Sequence, residues 1–184
     1  MQMDINTDQN YIRMILKGDS SAYRFLVEKN KKIVYSIALR ILNNTEDAED
    51  ATQESFIMAF HQLHTFEGKS KFSTWLYTIT YRICLSKLKT NSLDNKSIDS
   101  ELVEGYSQNM NTPYKELTEK ENTILVKAAI QKLPKLDALL ITLYYFNENS
   151  IKEIEEITSL TASNIKIRLY RARKILENEL KFLI

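Results

Sequence analysis

Glycine and proline are scarce in this chain, three and two in 184 residues. Tight turns between strands depend on both, so their scarcity argues against a β architecture and for an all-α one. There is one cysteine, Cys84, which excludes an intrachain disulfide and suits a reducing cytoplasm. Ile83 and Leu85 flank it, as expected for a buried structural thiol. Histidines number two, His61 and His64. They lie three apart on a helical stretch with no cysteine near, so no metal site is expected. No glycine-rich phosphate loop, nucleophile elbow or CxxC pair occurs, and no enzyme activity or cofactor is expected. No apolar run approaches the length of a membrane span, and no amino-terminal run resembles a signal peptide. An excess of one charge is missing too: 25 Lys and Arg oppose 24 Asp and Glu, for a net charge of +1. Few phosphates could be neutralised, so binding to DNA alone is expected to be weak.

What is present is apolar content, 43% of residues, enough for packed cores. Charge is also unevenly placed. Residues 92–116 hold five acidic groups against two basic ones, while both flanking segments are mildly basic. That middle stretch has no helical period and is rich in Asn, Ser and Asp, so it reads as a flexible linker. The chain divides accordingly into a domain at 1–91, an acidic linker at 92–116 and a domain at 117–184. The expected architecture is two small helical domains, the second containing a helix-turn-helix.

The first nine residues are polar and expected to fray. Asn10 to Lys17 reads as a helix that Gly18 ends, and Asp19 or Ser20 can cap the next. That one carries Ala22, Phe25, Leu26 and Val27 as its first apolar positions, then Val34, Ile37, Ala38 and Ile41. Asn43-Asn44 stops it. A helix from about Thr45 has an inner face of Ala48, Ala51, Ser55, Met58, Ala59 and Leu63, small enough for close packing. Its outer face is acidic, with Asp47, Asp50, Gln53 and Glu54. By itself such a face is compatible with simple solubility. The stretch Thr65 to Ser73 is a loop with Phe66, Lys69, Lys71 and Phe72. Ser73 or Thr74 is expected to cap the helix that follows, where Trp75, Tyr81 and Arg82 add further aromatic and basic groups. Lysines interleaved with rings suit single-stranded DNA, since charge follows phosphates and rings stack on bases.

In the second domain a helix runs to Lys132 from a capping box at Thr118 and Glu121. Pro134 fits the first turn of the next helix, Leu136 to Phe146, with Leu139, Leu140, Leu143 and Phe146 as core. Ser150 and Glu153 form another capping box. A short helix of about Ile151 to Ile157, a polar break and a second helix from about Ala162 follow. In the second, Ile165, Leu169, Ala172, Leu176 and Leu180 make one apolar stripe. Lys166, Arg168, Arg171, Arg173 and Lys174 lie off it. Short helix, turn and basic helix make a helix-turn-helix, whose second helix enters the major groove of DNA.

The order of these parts resembles the extracytoplasmic-function RNA polymerase sigma factors of the sigma-70 family, over about residues 17–90 and 120–181. Asp47-Ala-Glu-Asp-Ala-Thr-Gln-Glu-Ser-Phe56 is similar to the family's DAEDxxQExF polymerase-binding helix. Phe72-Ser-Thr-Trp-Leu-Tyr77 is similar to its FxTWLY entrance to the −10 reader. Ile165-Lys-Ile-Arg-Leu-Tyr-Arg-Ala-Arg-Lys174 is similar to its VKSRLxRARK −35 reader. The resemblance implies that Asp47, Asp50, Gln53 and Glu54 dock on the clamp helices of the polymerase's largest subunit. It implies that Phe66, Lys69, Lys71, Phe72, Trp75, Tyr81 and Arg82 meet the melted −10 strand, where a flipped base is held by stacking and pocket contacts. It also implies that Ser163, Asn164, Lys166, Arg168, Arg171 and Arg173 meet −35 duplex.

The implied partners are core RNA polymerase, promoter DNA and an anti-sigma factor, with no small-molecule substrate and no insertion into a membrane. The chain departs from the family pattern at Thr78, Arg82, Ser86, Glu155, Ser159 and Ile167. Glu155 stands where a small Ala lets the two helices approach, so it is expected to point out or to separate them. Two rival readings are a stand-alone helix-turn-helix regulator and a helical adaptor that binds only protein. The acidic helix argues against the first, and the basic face of the last helix against the second.

Overall fold

A computed structural model describes the backbone of residues 3–94 and 119–181, and side chains over a slightly shorter range. Every regular element in them is helical. The expected capping box at Thr118 and Glu121 falls where it is not described, and so does the linker after residue 94.

Helix α1, Met3–Leu16, starts earlier than expected. The polar amino terminus is helical from residue 3, and its later turns are anchored where Asp8 pairs with Lys29 at 2.9 Å and Ile12 is buried. Gly18, at φ +106°, ends this helix in a conformation that suits glycine. Asp19 then caps a single 3₁₀ turn by accepting from the Ser21 N–H. Helix α2, Tyr23–Leu42, buries Leu26, Val34, Ile37, Ala38 and Ile41 along one stripe, as its periodicity requires. Phe25 is a correction: it is exposed, stacked on Tyr11 with centroids 4.7 Å apart and covered by Arg24. Asn30, inside the basic run, is buried instead. Its amide donates to the Leu26 carbonyl at 2.8 Å, and it accepts from Tyr77.

Asn43 closes α2 in the left-handed region, and Asn44 caps helix α3, Thr45–Gln62, by accepting from the Asp47 N–H. Two adjacent asparagines thus end one helix and start the next. Ala48, Ala51, Ser55, Ala59 and then Leu63 are buried, so α3 lies close against its neighbours. Met58 is exposed and Phe56 takes an inner position, because the stripe drifts around the helix. Helix α4, Phe72–Asp94, packs across α2 and α3. It passes the expected domain boundary at residue 91. Its first turn is Phe72-Ser73-Thr74, so neither Ser73 nor Thr74 stands before the helix as a cap. Cys84 is buried, and burial pushes its thiol up to about 12. It is inert at neutral pH.

The second unit contains α5, Glu119–Gln131, and α6, Lys135–Ile141, which Pro134 precedes from the cap position. A π-helical turn, Thr142–Phe146, extends α6. The Asn147 N–H there reaches the Thr142 carbonyl five residues back. Leu139, Leu140 and Leu143 are buried as expected. Phe146 is 56% exposed, because the wide turn rotates the face after Leu143. Helix α7, Ile151–Thr158, and helix α8, Ala162–Glu179, complete the unit. The two units meet along α4 with α7 and α2 with α6, and their buried side chains join in one apolar cluster.

Candidate nucleic-acid interface

On α3, Asp50, Gln53 and Glu54 are exposed and Asp47 is half-exposed, all on the side away from Ala48, Ala51 and Ser55. Asp47 also sits in the first turn, where the helix dipole favours a carboxylate. Glu54 pairs with Lys87 of α4 at 3.2 Å, an exposed contact that holds it loosely. Ile57 stands one turn further along the same face and is 60% exposed. With the neighbouring exposed Met58 it makes a small apolar patch on this acidic surface. Its spacing of three from Glu54 was legible in the sequence, but periodicity alone does not separate an outward apolar residue from a core one.

At the start of α4, Phe66, Phe72 and Trp75 form one ring cluster, with centroids 5.3 to 5.9 Å apart. Such tilted contacts stabilise the loop beyond simple burial. Phe72 is 2% exposed and offers no free face for stacking on a base. It belongs to the core and supports Phe66 and Trp75, which are half-exposed. Lys69 pairs with Glu67 within the loop. Lys71 reaches across to Glu153 of α7 at 2.9 Å, and the buried Thr74 hydroxyl donates to the same carboxylate at 3.3 Å. Thr78 donates to the Thr74 carbonyl of its own helix at 2.9 Å, with the Glu156 carbonyl further off at 3.4 Å. The loop assigned to single-stranded DNA is therefore tied to the helix-turn-helix. Tyr81 is half-buried, and burial raises its pKa against a partial offset from Arg168. Arg82 is exposed.

The helix-turn-helix is capped at both starts. Ser150 accepts from the Glu153 N–H at 3.2 Å, and Glu153 accepts from the Ser150 N–H at 2.8 Å, completing the expected capping box. Thr161 caps α8 by accepting from the Asn164 N–H. Glu155 does not point away but turns toward the start of α8. Its carboxylate accepts from the Ala162 N–H at 2.6 Å and so satisfies an orphan donor at the start of α8. Ser159 ends α7 in the left-handed region at φ 59°, where glycine would be unstrained.

Ile165, Leu169 and Ala172 of α8 are buried, which turns Lys166, Arg171 and Arg173 outward. None of these three has an ion pair among the described residues. Ser163 and Asn164 are exposed on the first turn. Arg168 differs from the other cations. It donates to the buried Asp137 at 2.8 Å and, through Nε, to the Asn164 side-chain oxygen at 2.9 Å. Its expected role as a DNA contact is thus largely taken up inside the unit. A shallow concavity of about 430 Å³ lies over Thr161, Ser163, Asn164, Ile167 and Arg171.

Comparisons with known proteins agree on both halves. Residues 26–93 match the family model "Sigma-70 region 2" and residues 123–176 match "Sigma-70, region 4". The ECF RNA polymerase sigma factor SigW of Bacillus subtilis is 31% identical over 177 residues, covering 92% of this chain and 95% of that one. The ECF RNA polymerase sigma-E factor of Escherichia coli K12 is 30% identical over 185 residues, covering 97% and 96%. Among solved structures, the sigma factor RpoE of Bartonella quintana shares the fold at a TM-score of 0.66 and 21% identity, over 86% of this chain and 96% of that one. CnrH shares it at a TM-score of 0.62 and 17% identity, over 95% and 97%.

Proposed function

The chain belongs to the extracytoplasmic-function RNA polymerase sigma factors, and from that premise we propose how its surfaces divide the work. As a sigma factor it directs core RNA polymerase to promoters for transcription initiation. The first unit, residues 1–91, docks on core through Asp47, Asp50, Gln53 and Glu54, with Ile57 as an apolar centre. The loop Thr65–Ser73 and the start of α4 hold the melted −10 strand. Phe66 and Trp75 offer ring faces, Phe72 supports them from below, and Lys69, Lys71, Tyr81 and Arg82 follow the backbone. The acidic stretch 92–116 joins this unit to residues 117–184, where α8 reads −35 duplex through Ser163, Asn164, Lys166, Arg171 and Arg173.

The observation that carries this division is the presence, in one chain, of an exposed acidic face on α3 and a doubly capped helix-turn-helix with an outward basic face. A stand-alone regulator has no use for the first, and a protein-only adaptor none for the second. The protein supplies promoter selection and strand opening, and bond formation stays with the polymerase. Lys71 must leave Glu153 before it meets DNA, so the compact arrangement is the resting form. An anti-sigma factor that covers these faces is a fitting partner, since RpoE was solved in complex with the anti-sigma factor NepR.

Run-off transcription on genomic promoter fragments, with a compatible core polymerase, tests the reading. Transcripts that require this protein are expected, and their absence from every fragment would sink it. The docking face has its own test. Asp50→Arg with Glu54→Arg reverses two charges on an exposed face, so the fold should persist while core binding is lost. Unchanged affinity for core would reject the face.

A further inference from the structure

Resting on the reading of α8 as the −35 helix, we infer that Asn164 and Ile167 together recognise a thymine in that element, with Arg168 and Asp137 as positioning residues. The side-chain oxygen of Asn164 already accepts from Arg168 Nε at 2.9 Å. Arg168 is in turn held by Asp137, whose side chain is buried. With its oxygen engaged, the amide turns its NH₂ outward as a donor. Asparagine normally matches adenine by using both its oxygen and its nitrogen. Here Arg168 holds one lone pair of the oxygen and so fixes the plane of the amide, and adenine's pattern offers Ile167 no methyl to meet.

Ile167 follows three residues later, on the same face of the helix. It is 49% exposed and belongs to no apolar cluster of the described residues. The Thr161 cap fixes the start of the helix by accepting from the Asn164 N–H, so both side chains project from a rigid frame. The pair therefore presents one hydrogen-bond donor beside one apolar, branched surface.

The four bases answer this pair differently in the major groove. Thymine shows an acceptor, O4, next to its C5 methyl. Guanine shows two acceptors and no methyl. Adenine shows an acceptor and a donor but no methyl, and cytosine shows a donor and no methyl. Thymine alone complements both groups at once. Arg168 acts through Asn164, and its own charge is largely neutralised by Asp137.

The test uses holoenzyme of the full chain with core polymerase, on a promoter fragment that has given run-off product. Each thymine of the protected upstream element is replaced singly by deoxyuridine, which removes only the methyl. At one position, wild-type affinity should fall about fourfold, the worth of one buried methyl-sized group. Ile167→Ala should bind the thymine and deoxyuridine forms of that position equally. Arg168→Lys should lower the preference for thymine over adenine at the same position, because the fork that holds both Asp137 and Asn164 is gone. A wild-type holoenzyme that transcribes and protects the element but ignores every deoxyuridine would overturn the inference and leave the sigma reading intact. So would an Ile167→Ala protein with the wild-type sensitivity. Unaltered thymine-over-adenine preference in Arg168→Lys would remove the positioning role. No protection of the upstream element at all would instead reject the assignment of α8 on which the inference rests.

Discussion

The loop Thr65–Ser73 and the recognition helix α8 are both assigned to promoter DNA, yet they hold their functional groups in opposite ways. In the loop the groups are engaged with one another. Phe72 is in the core, Phe66 and Trp75 lean on it, Lys69 pairs with Glu67 and Lys71 with Glu153. On α8 the buried stripe does the packing and leaves Lys166, Arg171 and Arg173 outward. The difference follows from what each must bind. An extruded base needs a shaped apolar seat, which only packed rings provide. A duplex needs charges and edges on a rigid rod, which caps and a one-sided stripe provide. The loop's binding groups are therefore also stability groups, and those of α8 largely are not.

The largest effect expected from this contrast is in Phe72→Ala against Arg171→Ala. Loss of the buried ring should destabilise the fold by about 3–5 kcal/mol in chemical denaturation. Arg171→Ala should stay within about 0.5 kcal/mol of wild type. In a salt titration of holoenzyme on promoter DNA, Arg171→Ala should instead reduce the slope by about 1. Equal destabilisation by the two would break the comparison.

A smaller effect concerns the frame of α8. Glu155→Ala removes the acceptor for the Ala162 N–H and should cost about 1 kcal/mol by the same denaturation, as for other lost caps. Glu155→Gln keeps an acceptor oxygen and should recover part of that. Wild-type stability in Glu155→Ala would mean that the contact does not hold the helix.

The smallest effect is in the tie between loop and helix-turn-helix. Burial raises the Glu153 pKa, but hydrogen bonds from Lys71, the Ser150 N–H and the Ser150 hydroxyl outweigh this and hold the carboxyl below its usual range. A depressed folded value makes its contribution fully present above the ordinary glutamate pKa. The contribution is lost as pH falls through the folded value. A double-mutant cycle of Lys71→Ala and Glu153→Gln should give a coupling under about 1 kcal/mol at neutral pH and none in acid. A coupling that persists in acid would show that the charge is not what joins the two units.

Much of the fold was legible in the sequence because its signals are local. Asn43-Asn44, Gly18, Asp19 and the Ser150–Glu153 box each act within a few residues of themselves, and each does what its chemistry predicts. Helical periodicity placed most of the inner faces of α2, α3 and α8. It failed at Phe25, Met58 and Phe146, where a drifting stripe or a π turn moved a ring or thioether out of the core. The candidate site was legible as a set of residues but not as a set of states. No spacing in the sequence joins Arg168 to Asp137, 31 positions away, or Lys71 to Glu153, 82 positions away. Glu155 was the sharpest case. It read as an obstacle between two helices, and it is the acceptor that secures the second of them.

By itself, then, the sequence determined the helices, their caps, the acidic face of α3 and the basic face of α8, since periodicity and capping are interactions between near neighbours. The tertiary structure alone decided which of those groups remain open. A ring is a stacking face or a core residue, and a cation is a DNA contact or a strut, according to what distant segments place beside it. For Phe72 and Arg168 that neighbour turned an expected contact into a support.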